Sequence, residues 1–174
     1  METDNPFTIQ NFTPKLNFAF TNSLPSLYYN IRMSKIELVR VKGDFGFEAK
    51  DENGHIVKMD SSPESGGWDY GVRPMQMLLM GLAGCSAIDV ITILKKQRQE
   101  VKDYKMVVNG EREKGKEPSL WQDINVEFHL YGNIDEDKAI KAAELSIGKY
   151  CSVAATLQKA GAEIKWRVFV HAVS

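Results

Sequence analysis

Residues 75–94 read MQMLLMGLAGCSAIDVITIL, an apolar run with one carboxylate, Asp89, and one cysteine, Cys85. Its reading decides the fold. A helix of ~20 residues is long enough to cross a bilayer. Asp89, however, would cost ~2.5–3.5 kcal/mol near the membrane centre, no second such segment exists, and amphipathic elements flank this one. The run is therefore read as the central helix of a soluble protein, spanning about 74 to 99 and buried on most sides. Pro74 suits a first helical turn, and the closing LKKQRQE sets cations at the C-terminal end of the helix dipole. Gly81 and Gly84 each cost a helix about 1 kcal/mol relative to alanine. Two of them in an apolar helix point to a neighbour that packs closely against its backbone, with Cys85 beside that contact.

Outward from the helix, periodicity supplies the other elements. KIELVRVK (35–42) alternates as a half-buried strand does, FGFEAK (45–50) continues it, DENG (51–54) is a hairpin turn and HIVKMD (55–60) the return strand. SSPESGGWDYG (61–71) is a loop. Beyond the helix, 104–113 and 124–132 read as strands with a polar turn between them. Residues 133–150 form an amphipathic helix with apolar positions at 140, 143, 147 and 150; 151–161 form a short second helix ending at Gly161, and 163–173 a closing strand. The order β-β-β-α-β-β-α-α-β predicts an α+β fold in which sheet covers a long central helix.

Composition narrows the function classes. A net charge of −1 excludes the basic footprint of a nucleic-acid binder. Two cysteines are too few for a secreted disulfide scaffold. The three histidines, His55, His129 and His171, show no metal-ligand spacing, so no metal site is expected. His129 and His171 are read as strand positions. The N-terminus carries acidic residues early and no basic or apolar leader pattern, so a signal peptide is not expected and the protein is read as cytoplasmic. Residues 1–32 are poorly patterned and read as an N-terminal extension; 33–174 form the domain.

The two thiols have different settings. Cys85 lies some eleven residues into its helix, beyond the reach of the helix dipole. Asp89, one turn on, opposes a thiolate. A reactive Cys85 therefore needs a cation from another segment; without one it is an inert core cysteine. Cys151 opens the second short helix, where free N–H groups lower a thiol pKa. The cysteines are sixty-six positions apart, so only tertiary packing can pair them.

GVRPMQMLLMGLAGCSAIDVITILKK (71–96) together with KYCSVAATLQKAG (149–161) resembles the OsmC/Ohr family of thiol-dependent hydroperoxide reductases. The shared marks are a proline eleven residues before the first cysteine, the small-residue run around that cysteine, and a second cysteine followed by Ser-Val. The resemblance covers about 33–173 and is nearest to the OsmC-like branch. It implies an intertwined homodimer, with antiparallel sheets wrapped around long central helices and active sites at the subunit interface. It further implies Cys85 as peroxidatic thiol, Cys151 as resolving thiol, an organic hydroperoxide as substrate, an external dithiol as reductant, and no metal or organic cofactor. The activating arginine comes from the N-terminal strands in the family, and Arg40 is the arginine available between 33 and 60.

One position departs from the pattern. Where the peroxidases carry a glutamate that holds the arginine, this chain has Met75, followed by Gln76. Arg73 is a second candidate cation, with Asp69 or Glu64 to hold it. A non-enzymatic dimer that binds a small apolar or electrophilic ligand, or senses redox state, is the alternative reading. Met75, Met77 and Met80 are read as core or dimer packing. Trp68 and Tyr70 are read as loop anchors or as a lid over the site.

Overall fold

The computed structural model describes residues 34–173; the extension expected at 1–32 lies outside them. Three strands come first: β1 (Ile36–Lys42), β2 (Gly46–Asp51) and β3 (Ile56–Met59). They form an antiparallel meander in the order β1-β2-β3. Asp51 sets the β2–β3 turn, accepting from the Asn53 and His55 N–H groups at 2.9 and 2.8 Å. A loop with one short 3-10 turn then leads into α1 (Pro74–Lys96).

The second half contains β4 (Glu100–Arg112), β5 (Trp121–Asn133), α2 (Glu136–Leu145), α3 (Ser152–Lys159) and β6 (Glu163–His171). Its sheet runs β4-β5-β6. The expected α+β class and element order hold. The central helix ends three residues earlier than its periodicity suggests, at Lys96, and β4 starts at Glu100. One ladder is parallel, β5 with β6. The chain between them contains two helices, a crossover long enough to bring β6 back in the direction of β5.

β5 dictates the core. Ile124, Val126, Phe128 and Leu130 alternate inward along it, all buried. α1 faces them with Leu82, Val90 and Leu94, also buried, and packs against β4, α2 and α3. α1 is long and apolar enough to cross a membrane, but it is not buried on most sides as expected: within the described residues a single stripe, Leu82, Ser86, Val90 and Leu94, is buried, while Leu78, Met80 and Ile88 are exposed. On α2 the buried stripe is Ala139, Ala142 and Ala143, continuing through Ser146 and Ile147. Ile140 and Tyr150, expected on the inner face, are exposed. Alanines let α2 approach α1 and β6 closely, and the larger Ile140 lies to the side of that contact. Tyr150 closes a π-type turn, Ser146–Tyr150, whose extra residue breaks the 3.6-residue register.

Both faces of β1 carry exposed apolar side chains, Ile36 and Leu38 on one and Val39 and Val41 on the other. The first sheet is joined to the start of α1 by a parallel bridge, Met59 with Val72, and by the buried Asp60. That carboxylate accepts from the N–H groups of Ser61, Trp68 and Tyr70 at 2.7, 2.8 and 3.0 Å. Trp68 is 65% exposed. Its ring lies over Gly43, where φ is +53° and any Cβ would come within 2.6 Å of the indole nitrogen. Within the chain, then, Trp68 anchors its loop on the β1–β2 turn. Tyr70 is held on the same sheet by its hydroxyl's bond to Glu48.

Candidate active site

The π turn that ends α2 delivers Cys151 to the middle of α1. The Cys151 N–H donates to Ser146 O at 2.9 Å, an i to i−5 bond, and α3 begins at the next residue. Cys151 caps α3 with its side chain: the Ala154 N–H donates to its Sγ at 3.4 Å. The Ser86 hydroxyl donates to the same sulfur, also at 3.4 Å. Cys151 is buried and Cys85 half-buried, and neither is in a disulfide.

Cys85 and Asp89 lie one turn apart on α1, on the stripe that faces the π turn. The Cys85 sulfur, an Asp89 carboxylate oxygen and the Cys151 sulfur all lie within 4.8 Å of one another. Asp89 is steadied from the other side, because the Ser146 hydroxyl points to its Oδ2 at 3.3 Å and to the Ser86 carbonyl at 3.4 Å. Packing thus unites two cysteines whose spacing in sequence says nothing about their proximity. Asp89, Ser86 and Ser146 complete the cluster. The sequence presents Asp89 as a charge that opposes membrane insertion and as an unfavourable neighbour of a thiolate, not as part of a site. The two serines gave no signal beyond being small polar residues inside apolar runs.

The expected lowering of the Cys151 pKa is reversed. Burial pushes this thiol up and the adjacent Cys85 sulfur adds to the rise; the Ser86 hydroxyl and the Ala154 N–H oppose it without overcoming it. Capping is present as expected, but at a buried position desolvation outweighs it.

The candidate cations lie elsewhere. Arg40 sits on β1, exposed, opposite Phe47 of β2, and has no ion pair among the described residues. Arg73 precedes α1 by one residue, held by Asp69 at 3.1 Å and by the Gly71 carbonyl at 2.8 Å. It lies twelve residues upstream of Cys85, roughly 18 Å along the helix axis at ~1.5 Å per residue. Gln76 is a capping residue, its Oε1 accepting from the Arg73 N–H at 3.1 Å. Met75 packs against the core, and its carbonyl accepts from the Trp121 indole at 3.1 Å. Met80, by contrast, is 53% exposed. His129 and His171 meet on adjacent strands, ring nitrogens 3.2 Å apart.

A cleft of about 510 Å³ opens beside the cluster, lined by Asp89, Thr92, Ile93, Lys96, Leu145 and Tyr150 among others. It runs along α1 from Asp89 towards the helix C-terminus.

Comparison with known proteins agrees with this architecture. The family model described as OsmC-like protein matches residues 65–167, which contain both cysteines and every residue of the cluster. The chain belongs to the OsmC-like family. It is 43% identical over 115 residues to Protein YhfA of Escherichia coli (strain K12), covering 66% of this chain and 82% of that one. Among solved structures, a hypothetical protein from Aquifex aeolicus VF5 superposes with a TM-score of 0.71 at 30% identity, over 83% of this chain and 100% of that one. An organic hydroperoxide resistance protein OsmC from Legionella pneumophila superposes with a TM-score of 0.58 over 79% of this chain and 97% of that one. At 16% identity this last likeness is one of fold.

Proposed function

We propose that this OsmC-like protein reduces organic hydroperoxides through the Cys85–Cys151 pair. The observation that carries the reading is the approach of two unbridged thiols, one half-exposed and one buried, to within 4.8 Å. The Cys85 thiolate attacks the terminal peroxide oxygen; the O–O bond breaks, the alcohol leaves with a proton, and Cys85 becomes a sulfenic acid. The Cys151 thiol condenses with it, forming the disulfide and releasing water. An external dithiol reduces the disulfide by exchange and is itself oxidised. Burial of Cys151 suits the resolving role, since it needs to meet only the Cys85 sulfur. The reading is cytoplasmic, where dithiol systems keep such cysteines reduced.

The same reading makes the working unit a homodimer. Exposed apolar side chains on both faces of β1 ask for cover, as does Ile88, 68% exposed on α1. Among the described residues nothing comes within 4 Å of a Cβ built on Gly84, which leaves room there for the backbone of a second copy. Arg40, on the exposed first sheet, is the cation a second copy would bring to Cys85.

The test is consumption of tert-butyl hydroperoxide by the purified protein with excess dithiol, beside Cys85→Ser and Cys151→Ser. Turnover lost in Cys85→Ser is the expected result; equal rates for wild type and Cys85→Ser would overturn it. The packing of Met75 in the core, in place of a carboxylate, favours one second reading, a dimer that holds a small apolar or electrophilic ligand without turnover. Slow, stoichiometric loss of Cys85 thiol with no catalytic cycle would mark that case.

A further inference from the structure

We infer that Cys85, Asp89 and Cys151 form a binding site for a thiolate-preferring divalent cation of the zinc and cadmium type. Their ligand atoms lie within 4.8 Å of one another. Around a tetrahedral zinc with Zn–S of ~2.3 Å and Zn–O of ~2.0–2.2 Å, neighbouring ligands stand roughly 3.5–3.8 Å apart. Closing on a cation therefore asks for movements of about 1 Å, within the range of side-chain rotation. Cys85 and Asp89 are at i and i+4 of one helix, the spacing by which a helix offers two ligands to one metal.

The surroundings are those of a held site. Ser146 steadies the Asp89 carboxylate, while Ser86 and the Ala154 N–H fix the Cys151 sulfur. Outer-shell bonds of this kind orient metal ligands. Three groups able to carry negative charge crowd together, and among the described residues none of them is paired with a lysine, arginine or histidine. A divalent cation is the positive partner that such a trio of ligand atoms lacks. Two sulfurs and one carboxylate select a soft or borderline ion over magnesium or calcium. The cleft that begins at Asp89 leaves the fourth position to water or to an exogenous ligand. Binding exchanges two thiol protons for the cation and moves no electrons. Since the same sulfurs form the disulfide of the proposed cycle, cation and disulfide exclude each other, and cation binding holds the pair reduced and unreactive.

The experiment uses the reduced full-length chain with no peroxide present, so its outcome does not depend on turnover. Cd²⁺ is titrated by its thiolate charge-transfer absorbance and Zn²⁺ by competition with a chromophoric chelator. One equivalent per chain is expected, with both cysteines of the wild-type protein protected from alkylation when cation is bound. Cys85→Ser and Cys151→Ser should each abolish the one-equivalent step, and Asp89→Asn should weaken Zn²⁺ binding at least tenfold, with folding of each variant checked by circular dichroism. The inference is overturned if the wild type shows no saturable step, if cation protects only one cysteine, or if folded Asp89→Asn binds as the wild type does.

Discussion

Ser86 Oγ donates to Cys151 Sγ across 3.4 Å, so the residue after Cys85 in sequence is the one that holds its partner thiol. A single turn of α1 therefore presents one sulfur and positions the other. The hydroxyl is buried and makes this bond from a helix position where an alanine would fit.

Ser86→Ala should remove the bond and leave the fold intact. Losing one buried hydrogen bond costs about 0.5–1.5 kcal/mol, a drop in Tm of roughly 2–4 °C per kcal/mol in a chain of this size. Disulfide formation after one equivalent of hydroperoxide should slow several-fold, because Cys151 is no longer fixed towards Cys85. Non-reducing mass spectrometry against time checks this; an unchanged rate with the expected Tm loss would assign Ser86 to packing alone.

Phe128 is the largest fully buried side chain, at the centre of the inner face of β5. Phe128→Ala should destabilise by about 3–5 kcal/mol through lost transfer energy and the cavity left behind. Because α1 rests on that sheet layer, the thiol pair should lose its geometry as well. Denaturant unfolding gives the stability, and disulfide yield in the folded fraction reports the site.

Acid should attack the first sheet selectively. The Tyr70 N–H, with those of Trp68 and Ser61 and the charge of Arg73, holds the Asp60 carboxyl below its ordinary range despite burial. The His55 side chain, helped by two backbone N–H groups, pulls Asp51 down to about 2. Both folded values lie below the unfolded value of ~3.9, so the unfolded chain binds more protons in this range and stability rises with pH. The stabilisation is complete above about pH 4 and disappears as pH falls through the folded values, towards about 2 for Asp51. Melting temperature should be insensitive to these two groups from pH 7 to about 5 and fall below about 4. Asp60→Asn should lower Tm by several degrees at neutral pH and flatten the acid limb. An unchanged limb would place the acid sensitivity elsewhere.

Much of the fold was legible because its strands and helices obey simple periods. β5 alternates so regularly that Ile124 to Leu130 could be placed on one face without coordinates, and the apolar run around Cys85 announced a long helix, though only one stripe of it is buried among the described residues. What failed was local register. Residues 133–150 read as one helix, yet the π turn at Ser146–Tyr150 inserts a residue, exposes Tyr150 and swings Cys151 inward. No periodicity argument detects one extra residue whose purpose is tertiary. The site was half legible. Cys85 and Cys151 stood out as rare residues in family context, while Asp89, Ser86 and Ser146 gain meaning only when α1 and the π turn meet. The electrostatic sign at Cys151 was missed for a related reason: capping is written in sequence, and desolvation is a property of the packed molecule.

Gly84 separates an isolated chain from a paired one. Among the described residues of the single chain, no atom outside its helix lies within 4 Å of a Cβ placed there, so alanine should fit and raise helix stability by about 1 kcal/mol. Leucine should fit the isolated chain too, projecting beside the exposed Ile88. If two copies pack α1 against α1, Gly84 is where the backbones approach, and a side chain of four carbons holds them apart. Gly84→Leu is thus expected to keep the helical circular dichroism of the wild type while moving the protein from dimer to monomer in sedimentation. Hydroperoxide turnover should fall with the dimer, since the cation for Cys85 then has no second chain to come from. A Gly84→Leu protein that sediments as the wild type does would show that this face of α1 is not between copies, and Arg40 would lose its route to the thiol.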